Sequence, residues 1–164
     1  MILPLKNRNY FNLKQPPGDT WVGTGDFVVG AGGQACMKVA DSKGHAIFPD
    51  GYVGFMHLVR AYTRTLSRKQ LKHKCNTVSK IIGHYAPSSD NNNVVDYLEF
   101  LRSRSIPIVE IVEFFRPDGG IWSDQETLLK GLMKSMAEYE TFADFRLPYD
   151  TTMGLTLYER DFVL

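Results

Sequence analysis

The sequence predicts a mainly α-helical chain with a minor β contribution (α+β), and three observations carry that reading. From Tyr52 onward apolar residues recur at helical spacing; the first third is punctuated by Gly, Pro, Asn and Asp and has no such spacing; and no internal repeat or low-complexity tract interrupts the chain. With 164 residues, 43% of them apolar and 12% aromatic, the chain can bury a full core, and this length suggests one domain over 1–164. The first third lacks an apolar periodicity of its own and is therefore not read as a separate unit.

In residues 1–51 the stretches QPPGDTWVGTGDFVVGAGGQ and DSKGHAIFPDG predict loops, with two short strands around Phe27 to Val29 and Ala35 to Val39. YVGFMHLVRAYTRTL then places Val53, Met56, Val59 and Thr63 or Leu66 at helical spacing, which predicts a first helix. NTVSKIIGHYA predicts a second, ended by Pro87, and VVDYLEFLRSR, after the polar SSDNNN, a third. IPIVEIVEFF opens with Pro107, suited to a first helical turn, and stops before Pro117. Its apolar positions fit a buried helix or a strand, and a helix is the reading adopted. In SDQE, Ser123 or Asp124 precedes Glu126 as a capping start for a long helix through Glu140. The tail from Ala143 to Leu164 reads as a loop and a short helix.

Charge and cysteine content narrow the function classes. Nineteen basic and eighteen acidic residues give a formal charge of +1, without the basic excess of a nucleic-acid binder, so a neutral or mixed-charge partner is expected and nucleic acid is not. The opening MILPLKNRNY has too short an apolar run for a signal peptide, and no stretch approaches the roughly 20 apolar residues of a transmembrane helix. Cys36 and Cys75 have no CxxC spacing and are expected to be free thiols.

The most informative stretch is LLKGLMKSMAEYETF, residues 128–142. Leu129, Met133 and Met136 lie at i, i+4 and i+7, and the next position on that face is Glu140. Glu138 instead falls on the polar face, four residues after Lys134. A carboxyl against apolar side chains has its ionised form disfavoured by desolvation, and the helix C-terminus acts in the same direction. An acid still protonated near neutral pH can give its proton to a glycosidic oxygen, the task of a general acid in sugar-bond cleavage. The plainer alternative is a structural ion pair with Arg146.

Several segments together carry a resemblance. NYFNLKQPPGDTWVG resembles an NPGNI…WxG opening through Asn9, Asn12, Leu13, Trp21 and Gly23. IFPDGYVGFMHLVRAY is similar to an F-D-x-x-x-G-I-R-A segment, NTVSKIIGHYAPSSDNNNVVDYL to NTVxxIIxxYAPPSEN…Y, and LLKGLMKSMAEYET to a closing LLxAIIxxE helix. These are motifs of the virion-associated muramidase and lytic-transglycosylase-like enzymes of phages, cystovirus-like phages included. The likeness covers roughly residues 7–150. Tyr10 and Phe11 replace the Pro-Gly of the opening, Asp90 replaces a Glu, Tyr97 comes one residue late, and Tyr139 replaces the usual His before the acid.

The resemblance implies a lysozyme-like or lytic-transglycosylase-like fold in which the catalytic helix comes late in the chain, as though circularly permuted. It implies Glu140 as the catalytic residue, Tyr85 lining the cleft, Asn9, Asn12, Asn91 and Tyr97 shaping it, and Trp21 stacking on a sugar. Each residue also has a plainer use. Asn9 and Asn12 can close a turn, Tyr85 can finish a helix against the core, Asn91 to Asn93 can form a capping loop, and Trp21 and Trp122 can simply pack.

The implied reaction is cleavage of bacterial peptidoglycan between N-acetylmuramic acid and N-acetylglucosamine by one glutamate acting as acid and then base, with the sugar's own hydroxyl as nucleophile. A two-carboxylate route needs a second acid at about 5 to 5.5 Å or about 6.5 to 9.5 Å, and Asp90 and Asp96 are its candidates. A murein endopeptidase is the alternative enzyme, although His45, His57, His73 and His84 form no HExxH and Cys75 near His73 is an isolated thiol. A non-catalytic, peptidoglycan-binding structural virion protein is the third reading. No metal or organic cofactor is required by the single-acid route. Other virion components are a further partner class, through apolar surface around IPIVEIVEFF, and the expected place of action is the periplasm of a Gram-negative host during penetration and lysis.

Overall fold

A computed structural model of the chain describes residues 8–11, 22–24, 27–29, 35–36, 48, 51–86, 93–141 and 147–162. Among these residues the protein is mainly α-helical. Three short strands, β1 (Val22–Thr24), β2 (Phe27–Val29) and β3 (Ala35–Cys36), form one antiparallel sheet in sequence order, with Val22 opposite Val29 and Val29 opposite Ala35. The sequence pattern anticipated β2 and β3 but not β1.

Helix α1 (Gly51–Leu71) starts at a glycine with φ of 90°, a left-handed conformation that costs a residue without a Cβ little. Its buried face runs through Phe55, Leu58, Tyr62 and Leu66, joined by Val59 and Thr63. This corrects the predicted stripe. Val53 is 57% exposed, because the large aromatic side chains at Phe55 and Tyr62, seven residues apart, set which face turns inward.

Helices α2 (Val78–Tyr85) and α3 (Val94–Ser103) form where the sequence places them. Thr77 accepts a hydrogen bond from the Lys80 amide at 3.1 Å, and Asn93 accepts one from the Asp96 amide at 3.0 Å, so each start is side-chain capped. Asn93 is thus the capping residue of the Asn-rich loop.

The segment IPIVEIVEFF is not a helix. Ile111 bridges to Thr77 and Phe115 to Ile121, the Ser79 amide donates to the Ile108 carbonyl at 2.9 Å, and the Val112 amide donates to Asn76 at 2.9 Å. Gln70 completes the attachment: its amide nitrogen donates to the Cys75 and Val112 carbonyls, and its oxygen accepts from the Phe114 amide at 2.8 Å. A run of β-branched residues meets backbone partners supplied by the α1–α2 connection, and external pairing wins over helix formation. Val112 and Phe114 face inward, and Val109 and Ile111 remain 69% and 76% exposed.

Helix α4 (Glu126–Glu140) follows a single 3-10 turn, Ser123–Gln125, and no side chain caps it; the expected Ser123 or Asp124 cap is replaced by that tighter turn. Leu129, Leu132, Met133, Met136 and Ala137 are buried along it, as the pattern requires. Glu138 does not serve Lys134 but pairs with Arg104, at 3.0 Å, tying α4 to the end of α3. Helix α5 (Thr152–Phe162) begins at Asp150, which accepts from the Thr152 amide at 2.7 Å, and packs along α1. No described helix is long and apolar enough to cross a membrane.

The α1–α5 contact is close at Gly154, where an added Cβ would lie 2.4 Å from Val59 Cβ and 3.1 Å from the Met56 carbonyl oxygen. Since Val59 Cβ is fixed to its helix, Gly154→Ala must push the helices apart. We expect a loss of about 2 kcal/mol, read as a lowered Tm in thermal unfolding.

Candidate active site

Glu140 is the last residue of α4, the point where the buried stripe of that helix meets a cluster of aromatic side chains. Three tyrosines from three helices gather there: Tyr62 from α1, Tyr85 from the end of α2 and Tyr97 from α3. Tyr62 and Tyr97 are buried completely or nearly so, and Tyr85 is partly buried. Their order in space follows from ring geometry. Tyr62 stacks on Phe11 with centroids 4.0 Å apart, Tyr85 meets Tyr62 edge-on at 5.8 Å, and Tyr97 stacks on Tyr139 at 3.9 Å.

The electrostatics tie this cluster to the acid. Burial raises the phenol pKa of Tyr62 first, and the charge of Glu140 adds to it. Tyr97 is raised by burial and then by Glu140, and Tyr85 by burial, Tyr62 and Glu140. All three are therefore neutral hydrogen-bond donors that do not compete for a proton near pH 7. Burial alone lifts the Glu140 carboxyl to about 7, and among the described residues no cation pairs with it. Arg146, the expected ion-pair partner, lies outside the described residues.

The hydroxyls differ in what they hold. Tyr85 donates to the Phe11 carbonyl and Tyr62 to the sulfur of Met136. The Tyr97 hydroxyl is buried and, among the described residues, has no hydrogen-bond partner. An unmet phenol costs about 1 to 3 kcal/mol, so a protein that retains one beside a proton-holding carboxyl has a donor ready for an incoming oxygen.

Of the residues singled out from the sequence, Glu140, Tyr85 and Tyr97 meet in this cluster. Asn9 is fully buried in the turn at 8–11, two residues before the carbonyl that Tyr85 holds. Asn12, Trp21, Asn91 and Asp90 lie outside the described residues. Asp96 is exposed at the start of α3, where its carboxylate accepts from Asn93 at 2.9 Å. Trp122 is 39% exposed and its ring nitrogen donates to Glu113. Tyr62 was missed: the predicted stripe of its helix ran through Val59 and Thr63 and left out both Phe55 and Tyr62, and nothing in the sequence announces its hydroxyl.

The groups needed for peptidase chemistry are arranged differently. Among the described residues no three His, Cys, Asp or Glu side chains converge as metal ligands. Cys75 is a buried free thiol whose sulfur donates to the His73 carbonyl at 3.8 Å, and His45 lies outside the described residues.

The raised Glu140 pKa has a consequence for stability. The folded protein holds this proton up to about pH 7, whereas the unfolded chain releases it near the ordinary glutamate value of 4.5. Stability is therefore lost as pH rises from 4.5 to 7, a cost on the order of 3 kcal/mol above that window. Glu140→Gln should match wild type in unfolding free energy below pH 4.5 and exceed it increasingly up to pH 7, measured by denaturant titration across pH. Compared with models of protein families, with curated proteins and with solved structures, the chain finds no match in any of the three.

Proposed function

We propose that this protein cleaves the glycan strand of bacterial peptidoglycan between N-acetylmuramic acid and N-acetylglucosamine, with Glu140 as its general acid and base. The observation that carries the reading is the carboxyl itself: poised at about 7 by burial, without a counter-charge among the described residues, and surrounded by neutral phenols. That is the environment a proton donor to a glycosidic oxygen needs.

In the reaction Glu140 gives its proton to the glycosidic oxygen as the bond to the muramic acid C1 breaks. The carboxylate then takes the proton of that sugar's own C6 hydroxyl as its oxygen bonds to C1. The acid is restored and the product is a 1,6-anhydro sugar. Tyr97 is assigned the role of donor to a substrate oxygen. The resemblance of the motifs supports a lysozyme-like arrangement with the catalytic helix late in the chain, carried by a phage particle and acting on the host cell wall during penetration and lysis.

The test is mass spectrometry of soluble fragments released from purified Gram-negative peptidoglycan. Wild type should release 1,6-anhydro-muramic acid ends and Glu140→Gln should release none. Ordinary reducing ends would replace the intramolecular step by hydrolysis, and intact glycan with cut peptides would reject the reading. The cleavage rate should fall as pH rises through about 7, where the acid loses its proton. Tyr97→Phe should keep or raise stability by about 1 kcal/mol while lowering cleavage about tenfold, because it removes a hydroxyl that only substrate satisfies.

A further inference from the structure

Positive charge is segregated along this chain. Of its 19 Lys and Arg, seven lie in residues 51–89, a stretch with no Asp or Glu; the other twelve share the rest of the chain with all 18 acids. Arg60 is buried and Arg64 partly buried, which leaves Arg68, Lys69, Lys72, Lys74 and Lys80 at the end of α1, the connection and α2. Among the described residues none of these five pairs with a carboxylate.

Arg68, Lys69 and Lys72 gather around a pair of histidines. The Lys69 ammonium donates to His84 Nδ1 at 2.6 Å, and the His73 and His84 rings lie 4.3 Å apart, bridging the end of α1 to the last turn of α2. Lys80 is one turn before His84 on α2. Both imidazoles are held below their ordinary pKa, by desolvation and then by Lys69, with Lys72 and Arg68 also acting on His73; positive charge is already crowded there.

An aliphatic edge borders this face. Val109 and Ile111, 69% and 76% exposed, sit on the segment strapped to Asn76, Thr77 and Ser79, the residues between Lys74 and Lys80. Glu110 and Glu113 lie on the same segment, so five cations with no carboxylate partner among the described residues stand against two acids. A soluble polyanion such as single-stranded nucleic acid has no use for the aliphatic pair and favours aromatic platforms. The exposed Tyr52–Tyr149 pair is at the far end of α1, about 30 Å of helix away, and Trp122 is engaged by Glu113 at its ring nitrogen and by the Arg116 guanidinium over its ring.

The geometry points to an anionic phospholipid surface as the occupant of this face, with Arg68, Lys69, Lys72, Lys74 and Lys80 meeting lipid phosphates and Val109 and Ile111 seated among the headgroups. This docking goes beyond glycan cleavage and does not depend on it.

Vesicle flotation tests it. Wild type should float with phosphatidylcholine vesicles containing one third phosphatidylglycerol, remain behind with phosphatidylcholine alone, and be released by high salt. Combining Lys72→Glu, Lys74→Glu and Lys80→Glu should weaken binding about a hundredfold, and Val109→Ser with Ile111→Ser about tenfold. All substituted side chains are exposed, and circular dichroism checks that each variant is folded. Two results overturn the proposal: wild type failing to float with the anionic vesicles, or the serine pair leaving flotation intact. The second would reassign the face to a soluble polyanion, which binding of single-stranded DNA would identify.

Discussion

Desolvation of one carboxyl is the constraint around which the rest of this structure is arranged. Burying an acid beside Met136 and three phenols, with no cation paired to it among the described residues, is unfavourable for its charged form, and the protein meets that constraint by keeping the proton.

The surrounding helices are ordered by that position. α1 contributes Tyr62 from its buried face, α2 stops at Tyr85 because Pro87 follows, and α3 begins at a capped Asn93 that sets Tyr97 one turn in. Stacking of Tyr97 on Tyr139 links α3 to α4 beside the acid, and the Arg104–Glu138 pair links them again on the outer side. The neighbouring acids Glu138 and Glu140 thus have opposite uses: one accepts a cation partly in solvent, and the other is kept from any described cation.

Much of this was legible from the sequence, for reasons that can be named. The stripe Leu129, Met133, Met136 and Glu140 is a matter of helical period, which local sequence records directly. The Asn93 cap, expected within the Asn91 to Asn93 loop, is similarly local. What escaped detection depends on partners distant in the chain. IPIVEIVEFF reads equally as helix or strand until Gln70, Asn76 and Ser79 supply its hydrogen bonds, and these lie some thirty or forty residues away. The role of Tyr62 depends on the same kind of information: the predicted stripe passed it by, and the meeting of its ring with Tyr85 and Phe11 is a tertiary fact. The overall charge of +1 likewise concealed the local excess in residues 51–89.

Gln70 has a further consequence. One amide side chain, in the last turn of α1, satisfies two carbonyls and one amide of segments that have no regular structure of their own. Fraying of that turn therefore strips the extended segment of its Gln70 bonds and leaves it on those to Asn76, Thr77 and Ser79. Phe114, whose amide Gln70 holds, faces the core, so disorder at the end of α1 is felt at that core position.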